Sequence, residues 1–239
     1  MRYAALLLLM LVTRAHCAVV AVDVGHFNAE PGTISARGRP EFEFNRDLAL
    51  EVRAALAARG LDAKLIGADG TMAHLSRRTA TAAADGADFL LSVHHDSTQP
   101  QFFLSWNDGG VDRSYSDRYA GFALFVSRRN VDPAASLRCA SGIGAALRRA
   151  GFTPSLYHAE PIPGESKPFA DRENGVHYYD NLVVLHTARS PAVLLEAGVI
   201  VNRAEETKLA SPATRKRIAA AVAEGVGRCL GPRAGASEF

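Results

Sequence analysis

The chain reads as an α/β protein: one domain, built on a largely parallel, twisted sheet covered by helices on both faces. Three features lead there. Short apolar runs ended by Gly or polar residues alternate with stretches of helical period. The runs "ADFLLSVHH" and "AVLLEAGV" are apolar at nearly every position, as strands buried on both faces are. No internal repeat or interdomain linker interrupts the 239 residues.

In order along the chain, "MRYAALLLLMLVTRAHCA" comes first, with basic Arg2, an apolar segment from Ala4 to Val12, and small residues before Ala18 or Val19. Residues 1–18 therefore read as a secretory signal peptide, too short to span a membrane, and imply export to the periplasm or the extracellular space. The domain proper is expected over 19–230. "VVAVDVGH" is its first strand, followed by a Gly- and Pro-rich loop over 28–40. From Asn45 to Arg59 a helix is expected, with Leu48, Val52, Ala55 and Leu56 on one stripe and Gly60 as its stop. "LDAKLI" is a second strand, Ser76–Ala84 a helix capped by Ser76, and "ADFLLSVHH" a third strand.

Residues 99–121 are polar and aromatic without sustained periodicity, and "FALFVS" then resumes as a strand. Asp132-Pro133 opens a helix carrying Leu137, Ala140, Ile143 and Leu147 on one face. A loop over 153–175 leads to two closing strands, "NLVVLH" and "AVLLEAGV". Ser211-Pro212 opens the last helix, with Ile218, Val222, Val226 and Leu230 aligned. Residues 231–239 are expected to be a disordered tail.

Loss of the leader removes Arg2 and Arg14, taking 27 basic residues to 25 against 25 acidic ones. A nearly neutral chain without a basic stripe argues against a nucleic-acid partner. Cys17 lies in the leader, which leaves Cys139 and Cys229 as either a disulfide or two buried thiols.

The chemistry collects at the strand ends, where open α/β sheets place their sites. The first strand delivers His26, the third His94, His95 and Asp96, and the last Glu196; Glu41 and Glu43 stand just before the first expected helix. Two histidines and a carboxylate converging on one rim suit a hydrolytic zinc site with three protein ligands and one open position. Adjacent strand residues face opposite ways, so only one of His94 and His95 can point into it. Glu196 in an apolar strand needs a reason, because an unpaired buried carboxylate is costly.

These residues resemble the amidase-3 family of zinc-dependent N-acetylmuramoyl-L-alanine amidases, which cut glycan from stem peptide in bacterial cell walls. "VDVGH" is similar to the family's strand and first-ligand turn, which implies a ligand at His26. "EFEFNRDLA" matches the pattern of a Glu, an Asn and an Ala in a register that selects Glu41, with Asn45 and Ala49, over Glu43. "LSRRTATAAADGADFLLSVHHD" places the third ligand at His94, and "SPAVLLEAGVIVN" places the catalytic glutamate at Glu196 and a closing Asn at Asn202. "DRENGVHYYDNLVVLH" fits the segment before it. Phe27, Asn28, Gly67, Asp96 and Val199 depart from the family pattern, Asp96 standing where Asn is usual. The resemblance implies one zinc ion per chain, hydrolysis of the bond between N-acetylmuramic acid and L-alanine, and peptidoglycan as partner, with any regulator unspecified. Asp23, Asp96 or backbone carbonyls would then orient the ligating imidazoles, with Asn45, His95 and Asn202 nearby. Residues 99–121 would form a wall or lid of the cleft. The rival readings are a carboxypeptidase-like zinc peptidase on a similar sheet and a non-catalytic wall-binding module.

Overall fold

The structure, a computed structural model, describes residues 17–231. The expected leader therefore lies almost wholly outside the described residues, as does the expected tail beyond Gly231.

Strand β1 (Val19–Val24) leads into helix α1 (Glu41–Ala57), then β2 (Asp62–Ile66), α2 (Leu75–Ala84) and β3 (Phe89–Asp96). A hairpin of β4 (Leu104–Asp108) and β5 (Val111–Tyr115) follows, then β6 (Ala123–Val126) and α3 (Pro133–Arg149). The chain closes with β7 (Phe169–Asp171), β8 (Val176–Tyr178), α4 (Val183–His186), β9 (Ala192–Val199), α5 (Arg203–Ala210) and α6 (Pro212–Leu230).

Seven strands form one sheet in the order β2-β1-β3-β9-β6-β8-β7. Parallel pairings join β2, β1, β3 and β9, while β6 runs antiparallel to β9 and pairs in parallel with β8. The expected architecture is the one observed. Alternation of side chains along the strands creates two cores. Val20, Val22, Leu91, Val93, Val193 and Leu195 pack with α1, α3 and α6 on one face, and Ala21, Leu90, Ala192 and Leu194 pack with residues of α2 and α4 on the other.

Several local expectations need correcting. Helix α1 starts at Glu41 rather than Asn45: Pro40 is extended at the cap position, and Phe42 and Phe44 already bury in the first turn. Helix α2 starts at Leu75, with His74 at the cap position and no side-chain cap bond, so Ser76 is not the cap. "NLVVLH" is not a strand. Its core is the single helical turn α4, which sets Val184 and Leu185 against the second core; a four-residue apolar run carries too little periodicity to separate the two states. The place of that strand is taken by β7 and β8, the first inside the segment read as a loop and the second just after it. Helix α5 was not expected, and within 99–121 lies the β4–β5 hairpin, turned at Gly109-Gly110, a dipeptide that signals such a turn.

Cys139 of α3 and Cys229 of α6 form a disulfide with their Cα atoms 5.1 Å apart, across a sequence separation of 90. Replacing both with Ala should lower the unfolding free energy by about 2–4 kcal/mol. Urea denaturation of the oxidised protein reads this directly, and an unchanged midpoint would contradict a stabilising cross-link.

Candidate active site

Helix α1 and the ends of β1 and β3 bring His26, Glu41 and His94 together. Their ligand atoms all lie within 4.8 Å of one another, the one such cluster found among the described residues. Glu41 Oε2 is 3.1 Å from His26 Nε2, and Glu41 Oε1 is 3.1 Å from His94 Nδ1. Four donors at about 2.0–2.1 Å around a tetrahedral centre would stand about 3.3 Å apart, close to the two His–Glu separations, and two imidazoles with a carboxylate are a zinc donor set. Glu41 is buried. Burial alone would raise its carboxyl, but the two imidazoles outweigh that and hold it well below the usual carboxylate range.

The backbone makes room for this approach. A Cβ at Gly25 would overlap the His94 ring, and one at Gly32, which has φ +79°, would overlap both Glu41 and His26. His26 itself is left-handed, with φ 66°, a conformation that costs a non-glycine residue about 1 kcal/mol or more.

That conformation is held by Arg78, which lies in the family-like stretch "LSRRTATAAADGADFLLSVHHD" but whose role no local pattern reveals. Its side chain is 1% exposed and pairs with Asp23 Oδ1 at 2.7 Å. The same guanidinium donates to the carbonyls of Val24, of His26 at 2.5 Å and of Met72 at 2.8 Å. Ser92 Oγ donates to the other Asp23 oxygen at 2.7 Å. Asp23 is thus committed to Arg78 and Ser92 and supports no imidazole.

The other expected neighbours divide. Asn45 donates to Glu41 Oε1 at 3.0 Å and to the Gly25 carbonyl, and its Oδ1 accepts from His95 Nδ1 at 2.8 Å. His95 lies on the opposite face of β3 from His94, beside Phe44, where burial pushes it down to about 3 and keeps it neutral. Asp96 pairs with His158, not with a ligating ring. Asn202 caps α5 by accepting from the amides of Ala204 and Glu205. Glu43, the rejected alternative to Glu41, turns away to Arg39 at 2.9 Å.

Glu196 stands opposite His94 in the β3–β9 register. Its Oε2 is enclosed and meets no donor among the described residues. Burial, followed by the charges of Asp96 and Glu41, raises its carboxyl well above the ordinary value, which makes it a candidate functional group. A cavity of about 420 Å³ opens beside His26 and His94, walled by Leu75, Leu182, Val183 and Leu194. The 99–121 segment adds aromatic surface: Phe102 meets Tyr119 edge-on, and Tyr119 lies over Tyr157 with ring centres 4.1 Å apart. Trp106 of the hairpin donates to the Ala36 carbonyl.

A parallel sheet whose strand ends present a His/Glu/His donor set, with a half-buried glutamate on the adjoining strand, defines a class: α/β proteins carrying a candidate metal-dependent hydrolytic centre. Comparison with known proteins narrows this. The family profile of N-acetylmuramoyl-L-alanine amidases, Amidase_3, matches residues 20–228, and the chain belongs to that family of enzymes. It is 30% identical over 221 residues to the N-acetylmuramoyl-L-alanine amidase AmiA of Escherichia coli K12, covering 87% of this chain and 74% of that one. Among solved structures it is similar to the catalytic domain of the amidase CwlV from Paenibacillus polymyxa, with 25% identity, a TM-score of 0.67, and coverage of 89% of this chain and 98% of that one. The amidase Ami1 of Mycobacterium smegmatis shares the fold, with a TM-score of 0.71 at 23% identity over 90% and 97% of the two chains.

Two outcomes follow from the geometry. His94→Ala should abolish stoichiometric metal binding, whereas His95→Ala should keep the metal; equal loss on titration calorimetry would contradict the assignment of faces. Arg78→Met leaves Asp23 buried without its partner and should cost about 3–5 kcal/mol of stability, with weaker metal binding because the His26 carbonyl is released. Denaturant unfolding and metal titration measure the two effects separately.

Proposed function

We propose that this chain is a zinc-dependent hydrolase of the amide bond between N-acetylmuramic acid and the L-alanine of the peptidoglycan stem peptide. The family supplies the amidase activity, and the observation that carries the zinc reading is the His26–Glu41–His94 donor set beside Glu196. His26, Glu41 and His94 would hold one ion per chain. When bound, zinc lowers the pKa of a coordinated water to about 7 and polarises the scissile carbonyl.

The remaining work falls to the chain's own groups. Glu196 takes a proton from the attacking water and hands it to the leaving nitrogen of L-alanine, which otherwise departs as a poor leaving group. One of its two carboxyl oxygens, Oε2, is shielded from bulk water. Asn45 and the Thr33 amide, the latter 3.1 Å from Glu41 Oε2, fix the orientation of the Glu41 carboxylate before substrate arrives. Phe102 and Tyr119, both half-buried, offer aromatic surface to the substrate, with Tyr157 buried behind Tyr119. Membership of an amidase family takes the place of the carboxypeptidase and binding-module readings.

The same proposal places the protein outside the cytoplasm. The Cys139–Cys229 disulfide suits an oxidising compartment, in agreement with the leader-like composition of residues 1–18. No helix among the described residues is long and apolar enough to cross a membrane.

Glu196→Gln should keep one zinc per chain while hydrolysis falls by about 10²–10⁴-fold. Elemental analysis reports the metal, and mass spectrometry of digested peptidoglycan reports the bond cut. Free stem peptides beginning with L-alanine are expected from the wild type, and near wild-type release by the variant would remove Glu196 from the mechanism.

A further inference from the structure

Glu196 is the last residue of β9 to keep a regular place in the sheet. It pairs with His94 of β3 on one side and with Ala123 of β6 on the other. Just beyond it the ladder is interrupted on one side and ends on the other. Against β3 the register passes from His94↔Glu196 to Asp96↔Val199, so β9 carries an extra residue, a bulge at Ala197-Gly198. Against β6 the pairing goes no further than Ala123, and the Phe122 amide donates instead to the Thr153 carbonyl at 3.0 Å.

Where the strands part, backbone amides need other acceptors. One carboxylate serves two of them. Glu205, in the first turn of α5, accepts from the Val199 amide through Oε2 at 2.8 Å and from the Gly121 amide through Oε1 and Oε2 at 2.9 and 3.0 Å. Helix α5 is held close against the bulge: a Cβ at Gly198 would lie 3.2 Å from Glu205 Cδ and 2.9 Å from Leu209 Cδ1. The cap of α5 is made without this carboxylate, by Asn202, whose side chain takes the Ala204 and Glu205 amides. An acid at this place in a capping box would reach back to the amide of the cap residue; Glu205 reaches across to β9 and the approach to β6 instead.

The two glutamates lie on opposite faces of the sheet. Alternation puts Glu196 on the face of Ala192 and Leu194, whereas Glu205 lies with Ala197 and Leu209 on the other. Glu205 therefore touches no reacting atom. What it holds is the strand. Neighbouring strands run about 4.8 Å apart, so a shift of β9 by a fraction of that spacing changes where the Glu196 carboxyl stands relative to His94.

We propose that Glu205 is a positioning residue for Glu196: by holding the Val199 and Gly121 amides across the split between β9 and β6, it fixes the bulge behind the acid–base group. This rests on the assignment of Glu196 as the proton-transfer group. A carboxylate that only stitches α5 to the sheet makes a different demand: its loss would lower stability and leave turnover by the folded, metal-loaded protein unchanged.

The test compares wild type, Glu205→Ala, Glu205→Gln and a control destabilised at the other end of the sheet. That control is Cys139→Ala with Cys229→Ala, a pair lying beside Ala18, Asp88 and Pro191, which precede β1, β3 and β9. Each is assayed as the zinc-loaded full chain on a soluble muropeptide, well below its Tm. Zinc content, Tm, kcat and KM are recorded, with amide exchange at Val199 and Gly121 followed by NMR. Glu205→Ala should lower kcat by about 10–10²-fold, the scale of a misplaced reacting group, with KM within about threefold of wild type and zinc retained. Both amides should exchange at least about tenfold faster. Glu205→Gln keeps one acceptor oxygen but brings an NH₂ group to the amides, so its kcat should fall between the two. The control should lose stability and keep the wild-type kcat.

A Glu205→Ala protein with kcat within about twofold of wild type, unchanged exchange at both amides, or an equal loss of kcat in the control overturns the proposal. Should Glu205→Ala not fold, Glu205→Gln decides: folded, zinc-loaded and within about twofold of wild-type kcat it overturns the idea, and slower at unchanged KM it upholds it. A wild type that binds zinc but cuts no muropeptide sinks the amidase reading, and the role of Glu205 with it. An active wild type that Glu196→Gln stops but the Glu205 variants do not slow sinks this proposal alone.

Discussion

Everything at the rim hangs on a guanidinium buried beneath it. Arg78 projects from α2 under the ends of β1, pairs with Asp23 and collects three backbone carbonyls, those of Val24, His26 and Met72. An arginine so enclosed is tolerable only when its donors are nearly all matched, because the cost of taking it out of water is several kcal/mol. The return is geometric. The carbonyl of His26 is clamped while its backbone takes a left-handed turn, and the imidazole at the end of a parallel strand meets a carboxylate arriving from α1.

Above that clamp, Glu41 is the hinge of the donor set. One oxygen faces His26 and the Thr33 amide, and the other faces His94 and Asn45. Because Asn45 is also held by Gly25 and His95, the carboxylate is oriented by a buried network reaching through α1 to the far face of β3. His95 thereby serves the site from behind. Preorganisation of this kind reduces the ordering left for metal and substrate to impose.

The electrostatics of the rim are those of crowded acids. The charges of Glu41 and Asp96 both work against the ionised form of Glu196, and the three carboxyls meet their own charges differently. Glu41 is balanced by imidazoles, Asp96 by His158, and Glu196 by nothing among the described residues. The unbalanced one is the group proposed for proton transfer. A group for proton transfer must be free to change its charge, whereas its neighbours serve best when theirs are fixed.

Local pattern carried a good share of this into the sequence. Alternation along "LLSVHHD" alone says that His94 and His95 diverge, and apolar runs closed by His or flanking Glu mark β1, β3 and β9 as carriers of chemistry. The limits were equally physical. "NLVVLH" became a helical turn and α1 began at Glu41 because both outcomes depend on which apolar residues reach a core assembled from distant strands, not on local period. Arg78 sits in a helix whose sequence does not say that its guanidinium is buried; packing against β1 decides that. His158, in a segment read as loop, gained its partner Asp96 only when that loop met the end of β3, some 60 residues earlier in the chain. Residue type and spacing set which side chains could bind a metal or move a proton. Burial and charge pairing, which exist only between parts far apart in the chain, decided which of them are held still and which is left free.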